Sequence, residues 1–334
     1  MIAQPTVWRG VRRTLPGLLI SAVALVLAFR QVELAEVAAA FADAHYGLVA
    51  VAAVLQLLVL AAIALRWRLL FRDPPDRRTL FGALLIAQVA NTVLPLRAGL
   101  VARVWVIARQ SCQPKITVLS TVVAEKTVES LLFLLLFAAV LPGLAPHWFS
   151  RSSLGWATTA AVLLFPVLLL ASVRQHAVRR LLQAGARRWP SRARLAARLQ
   201  AGLDGLERLR APRALLGIWA WSVGIAAMGV SVNYAALRAL GLDVPVEAAL
   251  VLLVALQIGG RLLPATPLAG IGVYQYICVE SLALFGVSRE AALTYGFLLQ
   301  FVVLVPPLLL GTAAIYRANY TLAALRREEL NDSG

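Results

Sequence analysis

Residues 91–103 read NTVLPLRAGLVAR and interrupt an apolar part of the chain with a proline, a glycine and two arginines. Proline and glycine break helices, and a charged side chain inside a bilayer is costly. The apolar stretches on either side, 80–96 and 100–109, are each shorter than the roughly 20 residues that a membrane-crossing helix needs. Non-helical backbone is tolerated at membrane depth where protein covers it or it lines a wet cavity. We therefore predict a re-entrant hairpin over 80–109, which enters and leaves the membrane at one face.

A second interruption of the same kind lies at residues 264–275, which read PATPLAGIGVYQ. It separates the apolar stretches 247–263 and 273–285, and the charges of the flanking loops place both ends of this region at the outer face. Two broken segments that enter from opposite faces are typical of an inverted-repeat transport core with its site near the membrane midplane. We expect a second re-entrant hairpin over 247–285.

The composition of the 334-residue chain is that of a membrane protein, with 60% hydrophobic and 14% charged residues and a mean hydropathy of +0.79. Soluble domains contain about 25% charged residues. The formal charge of +16 would suit a soluble nucleic-acid binder, but repeated apolar stretches of about 20 residues exclude that class. The predicted full crossings are 15–29, 46–65, 116–141, 154–173, 214–237 and 291–315.

The predicted fold is an all-α polytopic membrane protein with six full spans plus two oppositely oriented re-entrant broken-helix hairpins. Two alternatives stay open: ten helices of which several are short, and a first apolar stretch that is a cleaved secretory signal, because three arginines precede it. Basic loops stay in the cytoplasm, and the loop 66–78 holds five arginines while 174–213 holds eleven. We therefore expect a multi-pass protein of the cell inner membrane with both termini in the cytoplasm.

Four regions are predicted along the chain. They are an N-terminal membrane half over 1–173, a cytoplasmic basic segment over 174–213, a C-terminal membrane half over 214–316 and a cytoplasmic tail over 317–334. Within the basic segment, residues 187–210 carry leucines at helical spacing with arginines between them. This pattern predicts an amphipathic helix on the anionic lipid of the inner leaflet. The alternative is that these arginines only set the topology.

The first candidate site is the break at 91–103. Arg97 and Arg103 lie where a helix restarts, so their guanidinium groups and free backbone N–H groups can converge on one anion, an arrangement that suits a phosphate. Snorkelling of these arginines to the cytoplasmic interface is the alternative interpretation. The candidate substrate-binding residues at this break are Asn91, Pro95, Arg97, Gly99 and Arg103.

The second candidate site is the break at 264–275. Two glycines at the start of a helix let the backbone approach a ligand closely. The candidate substrate-binding residues here are Arg261, Pro264, Thr266, Pro267, Gly270, Gly272, Tyr274 and Gln275.

Three charged residues lie inside the apolar stretch 116–141. Glu125 and Glu129 share one helix face, and Lys126 can reach Glu129 across one turn. One interpretation is a structural ion pair that extends to an arginine of the first break. The other is a coupling role, in which one carboxylate takes up a proton during transport.

No catalytic, cofactor or metal site is predicted. The three histidines are scattered among loops and span ends, which argues against a metal site. Two prolines separate Asp73 from Asp76, which favours turn and helix-cap roles over a magnesium-diphosphate site. Cys112 and Cys278 lie far apart in the sequence and are expected to be buried thiols without a disulfide.

The motifs at the two breaks resemble those of the lysylphosphatidylglycerol synthase transmembrane-region family. These flippase-like domains include the membrane half of the bacterial multiple peptide resistance factor. The likeness is carried by Asn-x3-Pro-x-Arg-x-Gly at 91–99, Glu-Lys-x-x-Glu at 125–129 and the proline- and glycine-rich run at 264–275, and it covers roughly residues 10–320. The chain departs from the family pattern with Leu100 and Gln275 where glutamate is usual. The resemblance implies movement of lipid between leaflets.

The expected function is that of a flippase or transporter for a phosphate-bearing lipid, either a phospholipid or a polyprenyl-phosphate-linked lipid. The alternatives are a membrane-embedded lipid-linked transferase and a membrane scaffold for a lipid-modifying synthase or glycosyltransferase. A homodimer and a complex with a partner synthase are both left open. No nucleic-acid partner is expected.

Overall fold

The computed structural model describes residues 41–93, 99–144, 211–262 and 272–317, and this part of the chain is helical without any strand. Its helices are α1 Tyr46–Arg68, α2 Arg77–Val93, α3 Gly99–Gln110, α4 Lys115–Leu144, α5 Pro212–Ala239, α6 Val246–Leu262, α7 Val273–Ala283 and α8 Arg289–Arg317. The all-helical prediction is confirmed for these residues.

Every predicted apolar stretch that falls within the described residues forms a helix. Three of these helices are long and apolar enough to cross a membrane, namely Tyr46–Arg68, Pro212–Ala239 and Arg289–Tyr316, and they indicate a membrane protein. Helix α4 has 30 residues and carries the three predicted charged residues within it. The predicted spans 15–29 and 154–173, the basic helix 187–210 and the tail after residue 317 lie outside the described residues.

Four shorter helices flank the two breaks. Helices α2 and α6 have 17 residues each, α3 has 12 and α7 has 11. At 1.5 Å per residue, α7 is about 17 Å long, against about 30 Å for the hydrocarbon core of a bilayer. The lengths of α3 and α7 therefore agree with the predicted interruption of both apolar regions, and the re-entrant topology remains a prediction.

Contacts near both ends join α2 to α3. At one end Gly99, the first residue of α3, lies against the backbone carbonyl of Ala87 and the side chain of Asn91 in α2. At the other end, the Gln113 amide after α3 donates a 2.8 Å hydrogen bond to the Asp73 carbonyl before α2. The two helices therefore form a helical hairpin.

Helix α7 packs against both α6 and α8. Gly259 of α6 lies against the side chain of Ile277, and Gly296 of α8 lies against Gln275 and Cys278. Small residues at such contacts let helix backbones approach closely, which is the main packing device between membrane helices. Glycines thus fix the position of the half-helix that follows the second break.

The chain divides into two compact units. The first unit contains the described residues on both sides of both breaks, and the second contains α4. The described residues of the first unit are 41–59, 84–93, 99–103, 227–262 and 272–317, and those of the second are 60–83, 104–144 and 211–226. The division into four regions along the sequence remains a prediction.

Two details of the sequence interpretation are wrong. Arg66 and Arg68 were expected in a cytoplasmic loop but lie in the last turn of α1, and Arg66 is 2% exposed. The helix continues through them because Arg66 and its neighbour Trp67 both find polar partners inside the protein.

Cys112 was expected to be buried but is exposed, because it lies in the turn that follows α3.

Candidate functional site

Asn91 closes the first break. Its Oδ1 atom accepts a 2.9 Å hydrogen bond from the backbone N–H of Gly99. The first N–H groups of a helix have no partner within the helix, so Asn91 satisfies one of them at the start of α3. A side chain at Gly99 would overlap the Ala87 carbonyl and the Asn91 amide. The structure therefore brings Asn91 and Gly99 of the predicted site together. It also explains why position 99 is a glycine, because there is no room for a side chain.

Arg103 lies one turn after Gly99 on α3 and is 5% exposed. A snorkelling arginine presents its guanidinium group to water, so this burial argues against the snorkelling interpretation for Arg103. Arg109 is exposed instead, with its guanidinium carbon 5.2 Å from the centre of a tryptophan ring. Pro95 and Arg97 lie outside the described residues.

Gln275 caps the helix start that follows the second break. Its Oε1 atom accepts a 2.7 Å hydrogen bond from the backbone N–H of Gly272, immediately before α7. Gly272 has a φ of 93°, a backbone conformation that favours glycine. Its carbonyl accepts the first helical hydrogen bond, of 2.9 Å, from the N–H of Tyr276. Outside the described part of the chain lie Pro264, Thr266, Pro267, Gly270 and the side chain of Arg261.

Neutral polar side chains connect the helices of the first unit. Gln275 is fully buried, and its amide nitrogen donates to Oε1 of Gln300 on α8. The Tyr295 hydroxyl of α8 donates a 2.7 Å hydrogen bond to Oδ1 of Asn233 on α5. Tyr274, another predicted site residue, is half-buried on α7. Sequence analysis identified Gln275 but missed its partner Gln300, because no local spacing connects positions that are 25 residues apart.

The two breaks share one arrangement. In each, a glycine N–H at the start of the second half-helix donates to the oxygen of an amide side chain. The amide belongs to the preceding helix in the first break and to the following helix in the second. Because an amide is neutral, both helix starts keep the positive end of the helix dipole.

A buried ion-pair network occupies the second unit. Nη2 of Arg66 lies 2.9 Å from Oε1 of Glu125 and 3.2 Å from Oε2 of Glu129. Nη1 of Arg66 donates a 3.1 Å hydrogen bond to Oγ of Ser222. Nζ of Lys126 lies 3.0 Å from the same oxygen of Glu129. The network therefore joins α1, α4 and α5.

The ion-pair contacts described here join two cations, Arg66 and Lys126, to two carboxylates, Glu125 and Glu129. The side chains of Arg66 and Glu125 are 2% and 0% exposed, whereas that of Lys126 is 50% exposed. Removal of one partner from such a group leaves an uncompensated buried charge, which is more costly than the loss of the contact itself. We therefore expect the buried end of the network to be essential for the packing of this unit.

Hydrogen bonds to neighbouring groups orient the network. The Ser222 hydroxyl donates a 2.7 Å hydrogen bond to the Ile218 carbonyl, so its oxygen faces Arg66 as an acceptor. The Trp67 indole donates a 3.0 Å hydrogen bond to Oγ1 of Thr121 on α4. Arg66 and Trp67, which are adjacent on α1, therefore both bind side chains of α4.

The predicted pair between Lys126 and Glu129 is confirmed, and the structure adds Arg66 as a partner of both carboxylates. Sequence analysis missed Arg66 because a count of loop charges assigned it to a topological role. The available signal was its position next to Trp67, directly after an apolar stretch and in continuous helical phase with it. Uptake of a proton by Glu125 or Glu129 remains a prediction.

Asp76 caps the start of α2, as the sequence predicted. Its Oδ2 atom accepts a 3.2 Å hydrogen bond from the backbone N–H of Arg78. The carbonyl of Asp73 is occupied by the Gln113 amide. Asp76 therefore has a helix-cap role, whereas the contact at Asp73 uses its main chain and does not involve its carboxylate.

Comparison with known proteins identifies the family of the chain. The family model described as "Lysylphosphatidylglycerol synthase TM region" matches residues 15–311, and the chain belongs to this family. A stretch of 148 residues is 30% identical to a protein named "Glycosyltransferase AglD" from Haloferax volcanii, which corresponds to 43% of this chain and 24% of that protein. The chain thus matches about a quarter of the length of this relative. No solved structure matches the chain.

Replacement of Arg66 by methionine should destabilise the protein strongly. Two buried or partly buried carboxylates lose their shared partner, and the expected cost is about 3–5 kcal/mol. Thermal unfolding of the purified protein in detergent, followed by tryptophan fluorescence, measures the change. The matched control is Arg238→Met, which removes an exposed pair with Asp243 and should change the midpoint little. Equal effects of the two substitutions would contradict the role assigned to the buried network.

Gly99→Ala should disrupt the first break. The new methyl group meets a backbone carbonyl that cannot rotate away, and overpacking of this kind costs about 1–3 kcal/mol. Gly82→Ala on α2 is the control, because no atom lies within 4 Å of a Cβ at that position. Thermal unfolding distinguishes the two variants. We expect a lowered unfolding midpoint for Gly99→Ala and an unchanged midpoint for Gly82→Ala. A normal midpoint for Gly99→Ala would show that the close approach is not required.

Proposed function

We propose that this member of the lysylphosphatidylglycerol synthase transmembrane-region family moves a phosphate-bearing lipid between the leaflets of the cell inner membrane. Membership of that family supports a membrane protein with a lipid-related role. The observation that carries the proposal is the placement of both glycine–amide junctions in one unit, together with a buried arginine one turn after the first glycine.

In this proposal α2 with α3, and α6 with α7, are two re-entrant hairpins that enter from opposite faces. Six further helices cross completely, and both termini are cytoplasmic. The lengths of α3 and α7 support this arrangement, because 11 or 12 residues span about half of the hydrocarbon core. The contacts near both ends of α2 and α3 support a return to the face of entry.

The lipid head group binds in a wet cavity between the two breaks. Arg97, Arg103 and Arg261 neutralise its phosphate, and the free N–H groups at the starts of α3 and α7 add the positive ends of two helix dipoles. The acyl or prenyl tails stay in the lipid. The two hairpins then expose the site to one face and the other in turn.

The ion-pair network in the second unit has a structural role in this mechanism. Each of its carboxylates lies within ion-pair distance of a cation, which favours a brace between helices over a proton-binding site. The basic segment at 187–210 binds the anionic lipid of the inner leaflet and orients the protein there.

A second candidate function is a membrane module that serves a glycosyltransferase which acts on a lipid-linked sugar. The match to the protein named "Glycosyltransferase AglD" favours this candidate. The matching region makes up 24% of that protein's length. Purified chain reconstituted alone into liposomes separates the two candidates. The transporter moves lipid without any other protein, whereas the module requires its transferase.

Translocation by Arg103→Gln should be strongly reduced. The buried guanidinium supplies charge to the head group in the proposed site, and its loss should slow the movement of phosphatidylglycerol about tenfold or more. Proteoliposomes that contain acyl-chain-labelled phosphatidylglycerol and a membrane-impermeant quencher measure the rate. Arg213→Gln, an exposed arginine at the start of α5, is the control and should match the wild type. A wild-type rate for a correctly folded Arg103→Gln protein would remove the proposed anchor.

Cysteine labelling should place both ends of each hairpin at one face. In a background of Cys112→Ser and Cys278→Ala, single cysteines at the exposed positions Arg78 and Gln110 should react with an impermeant maleimide from the cytoplasmic side. Cysteines at Glu247 and Leu284, which are also exposed, should react from the outer side. Reaction of the two members of a pair from opposite sides would show that the hairpin crosses the membrane and would overturn the proposed topology.

A further inference from the structure

One face of α4 carries exposed polar side chains near the middle of the helix. The side chain of Lys126 is 50% exposed, Ser130 is exposed and Thr127 is half-buried. Ser130 comes four residues after Lys126 and three after Thr127, and residues at these spacings are neighbours on a helix surface. An ammonium group and two hydroxyls are all hydrogen-bond donors. We call these three residues the α4 donor cluster.

The two hydroxyls of the α4 donor cluster have no hydrogen-bond partner in the described part of the chain. Serine and threonine inside a helix often donate to a carbonyl of the preceding turn, as Ser231 and Thr312 do on α5 and α8. Thr127 and Ser130 make no such bond. In the proposed topology α4 crosses the membrane, where hydrocarbon offers no acceptor. These hydroxyls therefore need a polar partner such as water or a ligand.

Lys126 does not extend toward the nearer end of α4. The helix begins at Lys115, and at 1.5 Å per residue Lys126 lies about 16 Å along its axis. Its Nζ atom is 3.0 Å from Oε2 of Glu129, which is one turn farther from that end. A snorkelling lysine would direct its amine toward the nearer interface. The ammonium group is therefore held near the middle of the helix.

Lys126 can leave Glu129 without isolating that carboxylate. Oε2 of Glu129 also lies 3.2 Å from Nη2 of Arg66, whose side chain is 2% exposed. Two cations thus share one oxygen, and Lys126 is the more exposed of them. Arg66 keeps Glu129 paired when Lys126 turns to another anion. The ammonium group then acts together with the hydroxyls of Thr127 and Ser130.

We propose that the α4 donor cluster binds the phosphate of a membrane lipid during its movement between the leaflets. The inference rests on the proposed function and adds to it a site on a helix outside both breaks. Phosphate oxygens accept charge-assisted hydrogen bonds from an ammonium group, and they accept hydrogen bonds from hydroxyls. The exposure of the cluster lets the head group reach it while the acyl chains stay in the lipid.

Photolabelling of the full chain in liposomes tests the site. The probe is phosphatidylglycerol with a diazirine on its head-group glycerol, and peptide mapping by mass spectrometry locates the adduct. We expect an adduct within residues 119–134 that excess unlabelled phosphatidylglycerol prevents and that neither diacylglycerol nor glycerol 3-phosphate prevents. No adduct there, or competition by diacylglycerol, would overturn the inference. Competition by glycerol 3-phosphate would overturn it too, because the site would then bind a water-soluble phosphate.

Thr127→Val combined with Ser130→Ala should lower the yield of this adduct about tenfold. The unfolding midpoint should stay near the wild-type value, because these hydroxyls make no hydrogen bond within the described residues. Lys126→Met should lower the yield at least as much. The matched control is Ser231→Ala combined with Thr312→Val, which removes two exposed hydroxyls that bond to their own helices. Equal yields from the two double variants would overturn the inference, whether or not Lys126→Met folds.

Translocation of acyl-chain-labelled phosphatidylglycerol separates this inference from the proposed function. We expect the wild type to move the lipid and the Thr127→Val, Ser130→Ala variant to move it about tenfold more slowly. A wild-type rate for this variant would overturn the inference alone. Absence of movement by the wild type would overturn the proposed function, even where the adduct forms.

Discussion

A polar group inside a bilayer must find its partner within the protein or in a wet cavity that the protein lines, because the hydrocarbon core itself offers no water. The requirement is strongest at the start of a helix, because the first N–H groups there have no hydrogen-bond partner within the helix. A helix that ends in the membrane therefore needs a side chain to close it. In the proposed topology both breaks lie inside the membrane. Asn91 and Gln275 cap the helix starts there, and each does so through a glycine whose missing side chain leaves room for the contact or permits the required backbone conformation.

In the second unit, buried polar groups find their partners through ion pairs. Arg66 has a planar guanidinium group whose donors diverge, so one side chain reaches Glu125, Glu129 and Ser222 on two other helices. A lysine at this position would offer a single nitrogen and could not satisfy the same three acceptors with similar geometry. The cost of desolvating these charges is offset because almost every polar atom has a partner. The result is a brace whose strength depends on all of its members together.

Sequence patterns predicted the helices well because apolar length and helix-breaking residues are local signals. The stretches around residues 80–109 and 247–285 were recognised as interrupted helices from proline, glycine and arginine alone, and α2, α3, α6 and α7 confirm the interruption. Partnerships between distant residues were not predictable in this way. Arg66 and Gln300 were missed because their partners lie far away in the sequence, and a count of loop charges treats an arginine as solvated until a structure shows what it contacts.

The choice of amides at the two breaks is informative because carboxylates would close a helix start better. An acidic group near a helix N-terminus is stabilised by about 0.3–1 kcal/mol through the helix dipole, and it would accept the same N–H of Gly99 or Gly272. It would also cancel the positive potential of that helix start and of Arg103 beside the first break. Neutral caps therefore give up a small amount of stability and leave the positive end of each helix dipole uncancelled. That exchange has a physical advantage when the group to be bound is an anion, and in this way the chemistry of the caps, more than the net charge of the chain, supports the proposed phosphate-bearing substrate.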